Sequence, residues 1–240
     1  MTSELRAVLW DLDGTIVDSE PLWLQAETEM LQRYGLELDE ATRERLIGIG
    51  LWDGARLFQE LGVPLAADDI VHEWSSRVTE LYSEREPQWR PGACELLQQV
   101  REAGIINVLV TMSTHSIAAE SVAQLPEGTF AALVTGDRVP LPKPHPEPYL
   151  LGAAAAGVQI HECVALEDSP TGLRAAASSG AVAVAVENEL RLSKENAHVL
   201  LDTLSGVDLS LIRTWHGKYQ ARTPREGGYE DRRSSATQEP

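Results

Sequence analysis

The sequence contains few cysteines, since Cys94 and Cys163 are the only two among its 240 residues. They lie far apart, and neither belongs to a Cys-x-x-Cys pair or to another spacing typical of metal ligands. A disulfide-stabilised secreted module is therefore excluded as a function class. The cysteine content favours a reducing, intracellular compartment, and we expect a cytoplasmic protein.

Basic residues are also scarce. Lysine and arginine together number 20 against 37 acidic residues, which gives a formal net charge of −17. This charge argues against a broad basic surface for nucleic acid or for an anionic membrane. A site for a small molecule remains compatible with it.

Long apolar stretches are missing as well. The longest runs, such as residues 180–186, are much shorter than the roughly 20 residues that a membrane helix needs. The first residues lack the basic stretch and apolar run of an export signal. Neither feature predicts an association with a membrane.

Short apolar runs that end at polar residues are present instead. Four of them predict buried β-strands, at residues 7–10, 105–110, 163–166 and 181–186. Helical patterns lie between them, at residues 92–102, 146–156 and 170–179. This alternation predicts an α/β fold with a doubly wound, parallel, Rossmann-like sheet.

The stretch between residues 18 and 88 interrupts the alternation, because it contains helical patterns and no convincing strand. Helices are predicted at residues 21–34, 40–47, 53–61 and 66–84. The stretch carries sixteen acidic and six basic residues. We therefore predict an acidic, all-helical subdomain at 18–88, inserted into a core formed by residues 1–17 and 89–216.

The C-terminal segment differs in composition from the rest of the chain. Residues 217–240 are rich in Gly, Pro, Ser, Thr and mixed charges, and their only apolar residues are alanines and two tyrosines. Such a composition buries little surface, so we predict a disordered tail.

The segment from Asp11 to Asp18, with the sequence DLDGTIVD, directly follows the first predicted strand. Ligands of open α/β sheets bind at the carboxyl ends of the strands. Asp11 could act as a nucleophile and Asp13 as a proton donor, while a cation suppresses their repulsion and binds a phosphate oxygen. Gly14 would let the backbone approach the ligand closely. Taken alone, the segment is equally compatible with a solvated, aspartate-rich turn.

Three further polar groups follow predicted strands or lie just beyond them. Thr111 offers a hydroxyl to a phosphoryl oxygen, or caps a helix. Lys143 lies between prolines in the segment KPHP and offers a positive charge, unless it is merely solvated. Glu167 and Asp168 could complete an oxygen shell for magnesium, or cap the helix that follows.

These four motifs, in this order, resemble those of the haloacid dehalogenase-like (HAD) hydrolases from residue 5 to about residue 190. The resemblance implies that Asp11 is the nucleophile and Asp13 the general acid and base. It implies a phosphate site at Thr111, Met112 and Lys143. It also implies a Mg²⁺ site formed by Asp11, Asp13 through its backbone carbonyl, Glu167 and Asp168.

The helical insert resembles the cap of the branch that contains phosphatases and β-phosphoglucomutases. This likeness suggests Glu20, Trp52 and His115 as substrate contacts, although Trp52 could instead belong to the core of the cap and His115 could merely begin a helix. The motifs also depart from the family at Trp10, where a smaller Phe is common, and at Met112, which adds bulk.

The expected function is therefore magnesium-dependent hydrolysis of a small phosphorylated metabolite, such as a sugar or polyol phosphate, by a monomer or weak homodimer. The alternative within the family is a β-phosphoglucomutase-like phosphomutase. A signalling receiver module groups similar residues around magnesium, but the insert and the Asp-x-Asp spacing argue against it. An inactive family member used as a binding scaffold is the remaining option.

Overall fold

The computed structural model describes residues 4–46, 49–188, 192 and 194–220. Within these residues, six parallel strands form one sheet in the order β3-β2-β1-β4-β5-β6. The strands are β1 (Ala7–Trp10), β2 (Ile106–Val110), β3 (Ala132–Val134), β4 (Cys163–Glu167), β5 (Val182–Val186) and β6 (Val199–Leu201). The predicted doubly wound parallel sheet is confirmed.

The four predicted strands form the centre of the sheet, and all of them are mainly apolar, with Asn107 as a polar residue in β2. Every residue of β1, β4 and β5 is buried, because helices cover both faces of the sheet. The edge strands β3 and β6 have three residues each and are only half-buried. They were not predicted, since strands this short give only a weak sequence signal.

Nine helices lie in the described part of the chain, and the seven predicted ones are all present. They are α1 (Glu20–Arg33), α2 (Glu40–Leu46), α3 (Leu51–Leu61), α4 (Ala67–Glu84), α5 (Ala93–Glu102), α6 (His115–Val122), α7 (Glu147–Ala155), α8 (Pro170–Ser179) and α9 (Leu209–Gln220). The sequence did not predict α9, and it offered α6 only as the alternative interpretation of His115. None of the described helices is both long and apolar enough to cross a membrane.

The last helix corrects one sequence-based boundary. Residues 217–220 were assigned to a disordered tail, but they form the final turn of α9. The Tyr219 ring lies 5.1 Å from the His198 ring, so this turn contacts the region around the sheet. The remainder of the proposed tail, residues 221–240, lies outside the described residues.

Trp10 is accommodated without disturbing the first strand. Its side chain is fully buried, and its indole N–H donates to Asn107 Oδ1 at 2.8 Å. The Asn107 amide in turn donates to the Leu97 carbonyl at 3.1 Å. The larger ring is therefore held by a buried polar partner on β2 and α5, and β1 keeps its place in the sheet.

Helices α1 to α4 are connected to the rest of the chain at two adjacent points. The Asp18 amide donates to the Gln88 carbonyl at 2.8 Å, and Val17 forms an antiparallel bridge with Trp89. The chain therefore enters and leaves this helical segment side by side. We propose that residues 18–88 form a cap that is joined to the core by this paired connection.

Candidate active site

The site lies at the topological switch point of the sheet, between β1 and β4. The chain runs from β1 outward to β2 and β3, and later from β4 outward to β5 and β6, so β1 and β4 are neighbours. In an open α/β sheet this is the position where ligands bind. Asp11 follows β1, Glu167 ends β4, and Thr111 follows β2. Parallel strands thus bring three sequence-distant motifs to one edge.

Lys143 links two of these strand ends. Its Nζ lies 2.7 Å from Asp11 Oδ1 and 2.6 Å from Glu167 Oε1, and it donates to the Val110 carbonyl at 2.9 Å. The side chain is only 4% exposed. Burial lowers the pKa of Lys143, but the attraction of the two carboxylates outweighs burial and the pKa is raised. The ammonium group is therefore held charged beside Asp11.

Glu167 is fully buried and accepts hydrogen bonds at both oxygens. Besides Lys143, the Tyr149 hydroxyl donates to Oε1 at 2.8 Å. The Ser169 amide and hydroxyl donate to Oε2 at 3.1 and 2.9 Å. Gly172 in α8 leaves the space for this carboxylate, since a Cβ there would lie 1.7 Å from Oε1. Glu167 thereby positions the lysine, while its oxygens remain close to Asp11 and Asp168.

The Asp13 carboxylate is oriented by side chains from the core and from the segment 18–88. Ser19 and Ser113 hydroxyls donate to it at 2.6 Å each. Longer hydrogen bonds come from Thr111 Oγ1 at 3.3 Å and from Trp23 Nε1 at 3.4 Å. Ser113 was not predicted, although it lies two residues after Thr111 in the same loop. These donors fix Asp13 next to the nucleophile candidate.

A cluster of three carboxylates could hold a metal ion. Oxygens of Asp11, Glu167 and Asp168 all lie within 4.8 Å of one another. Burial and the neighbouring carboxylates raise the pKa values of Asp11 and Asp168, although Lys143 lowers both, so these groups resist being ionised together without a cation. Lys143 alone cannot balance three negative charges, so a divalent cation with a preference for oxygen ligands fits this cluster. The Asp13 side chain is not part of the cluster.

Gly14 is required by this arrangement for two reasons. Its φ of +83° lies in the left-handed region, which a residue with a side chain adopts at a cost. A Cβ at this position would also lie 1.9 Å from Asp168 Oδ2. Only glycine therefore lets the loop after β1 pass directly beside the Asp168 carboxylate, which follows β4.

A cavity of about 710 Å³ opens above these residues and is lined by both the core and the cap. Core residues on its wall include Asp11, Asp13, Thr111, Met112, Lys143 and Asp168. The Met112 sulfur also accepts a hydrogen bond from the Lys143 amide at 3.4 Å. The predicted phosphate-binding residues are thus brought together with the two aspartates.

Of the three predicted substrate contacts, two line the cavity and one does not. Glu20 and Trp52 lie on the cap side of the wall, and the Trp52 indole is held by a 2.8 Å hydrogen bond to Asp68. His115 is not among the lining residues. It is the first residue of α6, and its backbone amide donates to Asp137 at 3.1 Å. Its position at this helix start corresponds to the alternative reading of the sequence.

The cap side of the wall is rich in charged and aromatic residues. Asp53 pairs with Arg56, and Arg43 lies 4.0 Å from Glu20. Both pairs line the cavity, together with Glu27, Trp23 and Trp52. The sequence did not single out Glu27, Arg43 or Arg56, because the pattern of an amphipathic helix does not indicate which polar residue faces a cavity.

Comparisons with known proteins agree with this arrangement. Residues 5–180 match the model of the haloacid dehalogenase-like hydrolase family. A protein of Thermotoga maritima named phosphorylated carbohydrates phosphatase is 33% identical over 182 residues, which are 73% of this chain and 82% of the relative. Hexitol phosphatase A of Escherichia coli is 32% identical over 220 residues, which cover 86% of this chain and 90% of the relative.

A solved structure shows the same fold. The crystal structure of CbbY from Rhodobacter sphaeroides in complex with phosphate superimposes with a TM-score of 0.78 and 27% sequence identity. The match covers 86% of this chain and 98% of the other one. The likeness therefore extends over both the sheet and the helical insert.

Proposed function

The chain belongs to the haloacid dehalogenase-like hydrolases, and we propose that it is a phosphatase that hydrolyses a sugar or polyol monophosphate with Mg²⁺. The observation that carries this proposal is the buried Lys143, whose ammonium group touches both Asp11 and Glu167 at the floor of the shared cavity. The named relatives with phosphorylated carbohydrates and hexitols in their descriptions support the substrate class.

Asp11 is the proposed nucleophile. Its Oδ1 accepts the hydrogen bond from Lys143, while Oδ2 accepts none from the described residues. Attack of Oδ2 on phosphorus would form an acyl phosphate and break the bond from phosphorus to the ester oxygen. Lys143 would remain beside the reacting group and stabilise the negative charge that develops on the phosphoryl oxygens.

Asp13 is the proposed general acid and base. It would give its proton to the leaving alcohol oxygen in the first step, and would take a proton from the attacking water in the second. The second step releases inorganic phosphate and restores the Asp11 carboxylate. The hydrogen bonds from Ser19 and Ser113 would keep the Asp13 carboxyl in place during both steps.

The carboxylates of Asp11, Glu167 and Asp168, together with the Asp13 backbone carbonyl, would hold the magnesium ion. When bound, the ion supplies positive charge that offsets the repulsion between the carboxylates and a phosphate group. This charge matters for capture, because a protein of net charge −17 repels an anionic substrate at long range.

Removal of the metal should therefore abolish activity. We expect phosphate release to fall by at least roughly a hundredfold in excess chelator, because the carboxylate cluster is left uncompensated. Added Mg²⁺ should restore the rate, which a continuous phosphate-release assay would follow. Full turnover in excess chelator would remove the metal from the mechanism.

Hydrolysis is favoured over phosphoryl transfer between sugar hydroxyls. In the mutases that resemble this chain, a histidine and an arginine of the cap help to bind a bisphosphate. The residues of this chain that resemble them in sequence position are Trp23 and Leu51. Trp23 instead donates to Asp13, and Leu51 carries no charge. Trp23 and Leu51 therefore supply no positive charge for a second phosphate, and the two arginines on the cap wall, Arg43 and Arg56, already lie beside Glu20 and Asp53.

The proposed function can be tested with a panel of monophosphates. The panel contains fructose 1-phosphate, glucose 6-phosphate, glucitol 6-phosphate, glycerol 3-phosphate and AMP, and phosphate release with Mg²⁺ is the readout. We expect turnover of at least one sugar or polyol phosphate, and little interconversion of glucose 1-phosphate and 6-phosphate in the presence of glucose 1,6-bisphosphate. Isomerisation that outpaces phosphate release would favour the mutase.

A further inference from the structure

Glu27 is a carboxyl group on the cavity wall that has no hydrogen bond to the described part of the protein. It lies in α1 and lines the cavity, but no hydrogen bond joins it to another described residue. Its neighbours on the wall differ in this respect, because Asp53 has Arg56 and Glu20 has Arg43 within ion-pair distance. Glu27 is half-buried, so its carboxyl group is partly shielded from water and still open to the cavity that it lines. Glu27 therefore has unused hydrogen-bonding capacity that faces the cavity.

The electrostatics around Glu27 indicate which partner would fit. Burial and, to a smaller extent, the negative charge of Glu20 raise its pKa, Arg43 lowers it, and the net result is a pKa of about 8. At neutral pH the group is thus mainly a neutral carboxylic acid, which donates one hydrogen bond and accepts others. A hydroxyl group has the same combination of a donor and acceptors, and it needs no charged partner on a wall where Glu20 and Asp53 already lie beside Arg43 and Arg56.

We propose that Glu27 is a specificity-determining residue that hydrogen-bonds a hydroxyl group in the alcohol portion of the substrate. This role rests on the proposed phosphatase function and narrows it to phosphomonoesters whose leaving group carries at least one further hydroxyl group. A site built to hydrogen-bond a hydroxyl discriminates strongly against an analogue without it, because its own polar group is then left unpaired. Glu27 would supply that discrimination from the cap, while the core binds the phosphate.

The role can be tested by comparing two substrates in matched variants. The substrates are the fastest sugar or hexitol phosphate of the panel above and hexyl phosphate, which lacks hydroxyls. The quantity compared is kcat/KM for the sugar or hexitol phosphate divided by kcat/KM for hexyl phosphate. Glu27→Met has a similar length but removes the hydrogen bonds, so this ratio should fall about tenfold or more. Glu27→Gln keeps both a donor and an acceptor, so its ratio should remain several times higher than that of the methionine variant.

Glu29→Met provides the control, because it makes the same change two residues further along α1. Glu29 does not line the cavity; it binds Arg77 at 2.8 Å and is partly exposed. Its ratio of kcat/KM values should equal that of the wild type. A Glu27→Met ratio equal to that of Glu29→Met would overturn the role of Glu27, while the phosphatase function would stand. A wild-type protein that hydrolyses no member of the panel would contradict the function and this role together.

Thermal unfolding distinguishes recognition from a structural role. The folded-state pKa of Glu27, about 8, lies above its ordinary value of 4.5, so the folded state binds the proton more tightly and loses stability as pH rises between these values. Glutamine does not ionise. The Tm of Glu27→Gln relative to wild type should therefore increase from pH 5 to pH 8. A decrease over this range would show that the carboxylate stabilises the fold and would overturn the proposal.

Discussion

Replacement of Asp11 by asparagine should abolish steady-state turnover and leave the fold intact. The amide has nearly the same size and can occupy the same position after β1, but it cannot form the acyl phosphate that the proposed mechanism requires. We expect a loss of roughly 10³-fold or more in kcat, as for the removal of other covalent nucleophiles. Phosphate release and far-ultraviolet circular dichroism would measure the two properties.

Asp137→Asn is the matched control for this change. Asp137 is exposed, binds the His115 amide and does not line the cavity. The same substitution there should alter kcat by less than about threefold, since surface changes away from a site have small effects. Appreciable phosphatase activity in Asp11→Asn would refute the assignment of the nucleophile.

Lys143→Met should affect both activity and stability. The side chain is 4% exposed and its ammonium group is in contact with two carboxylates. Without it, Asp11 and Glu167 are left buried with like charges, and breaking a buried ion pair in this way costs about 3–5 kcal/mol. We expect a lower free energy of unfolding and a loss of roughly 10²-fold or more in kcat, because the charge beside the reacting group is removed.

Two measurements make this prediction specific. The destabilisation should shrink when Mg²⁺ is added, because the ion would supply part of the missing positive charge. Lys218→Met removes an exposed lysine from α9 and should change the free energy of unfolding by no more than about 0.5 kcal/mol. Equal stability of the two variants without metal would contradict the role given to Lys143.

The centre of the sheet and the floor of the site were predictable for one shared reason. Strands β1 and β4 are continuous apolar runs that end at acidic residues, so the pattern located both the strand and the group at its end. In a parallel sheet the carboxyl ends lie at one edge, which places Asp11 near Asp168 without further information. The edge strand β3 lies in a short apolar run at residues 130–134, but only three half-buried residues form the strand and no carboxylate follows it directly.

The residues that were missed depend on packing between distant elements. Tyr149 reaches Glu167 from α7, and nothing in its sequence position separates it from an ordinary core aromatic. Glu27 was missed because its exposure to the cavity depends on how α1 packs over the core. His115 had two interpretations, a substrate contact or the first residue of a helix, and the structure places it at the start of α6 and outside the lining of the cavity.

The most direct test of the account is to identify the phosphorylated residue. The enzyme would be mixed with Mg²⁺ and its best substrate, quenched during turnover, and reduced with borohydride, which converts an aspartyl phosphate to homoserine. Mass spectrometry of the tryptic peptide that spans residues 7–33 would then locate the change. We predict homoserine at position 11, aspartate still at position 13, and no conversion when chelator replaces Mg²⁺. Phosphate release with unmodified Asp11 under the same quench would contradict covalent catalysis by this residue.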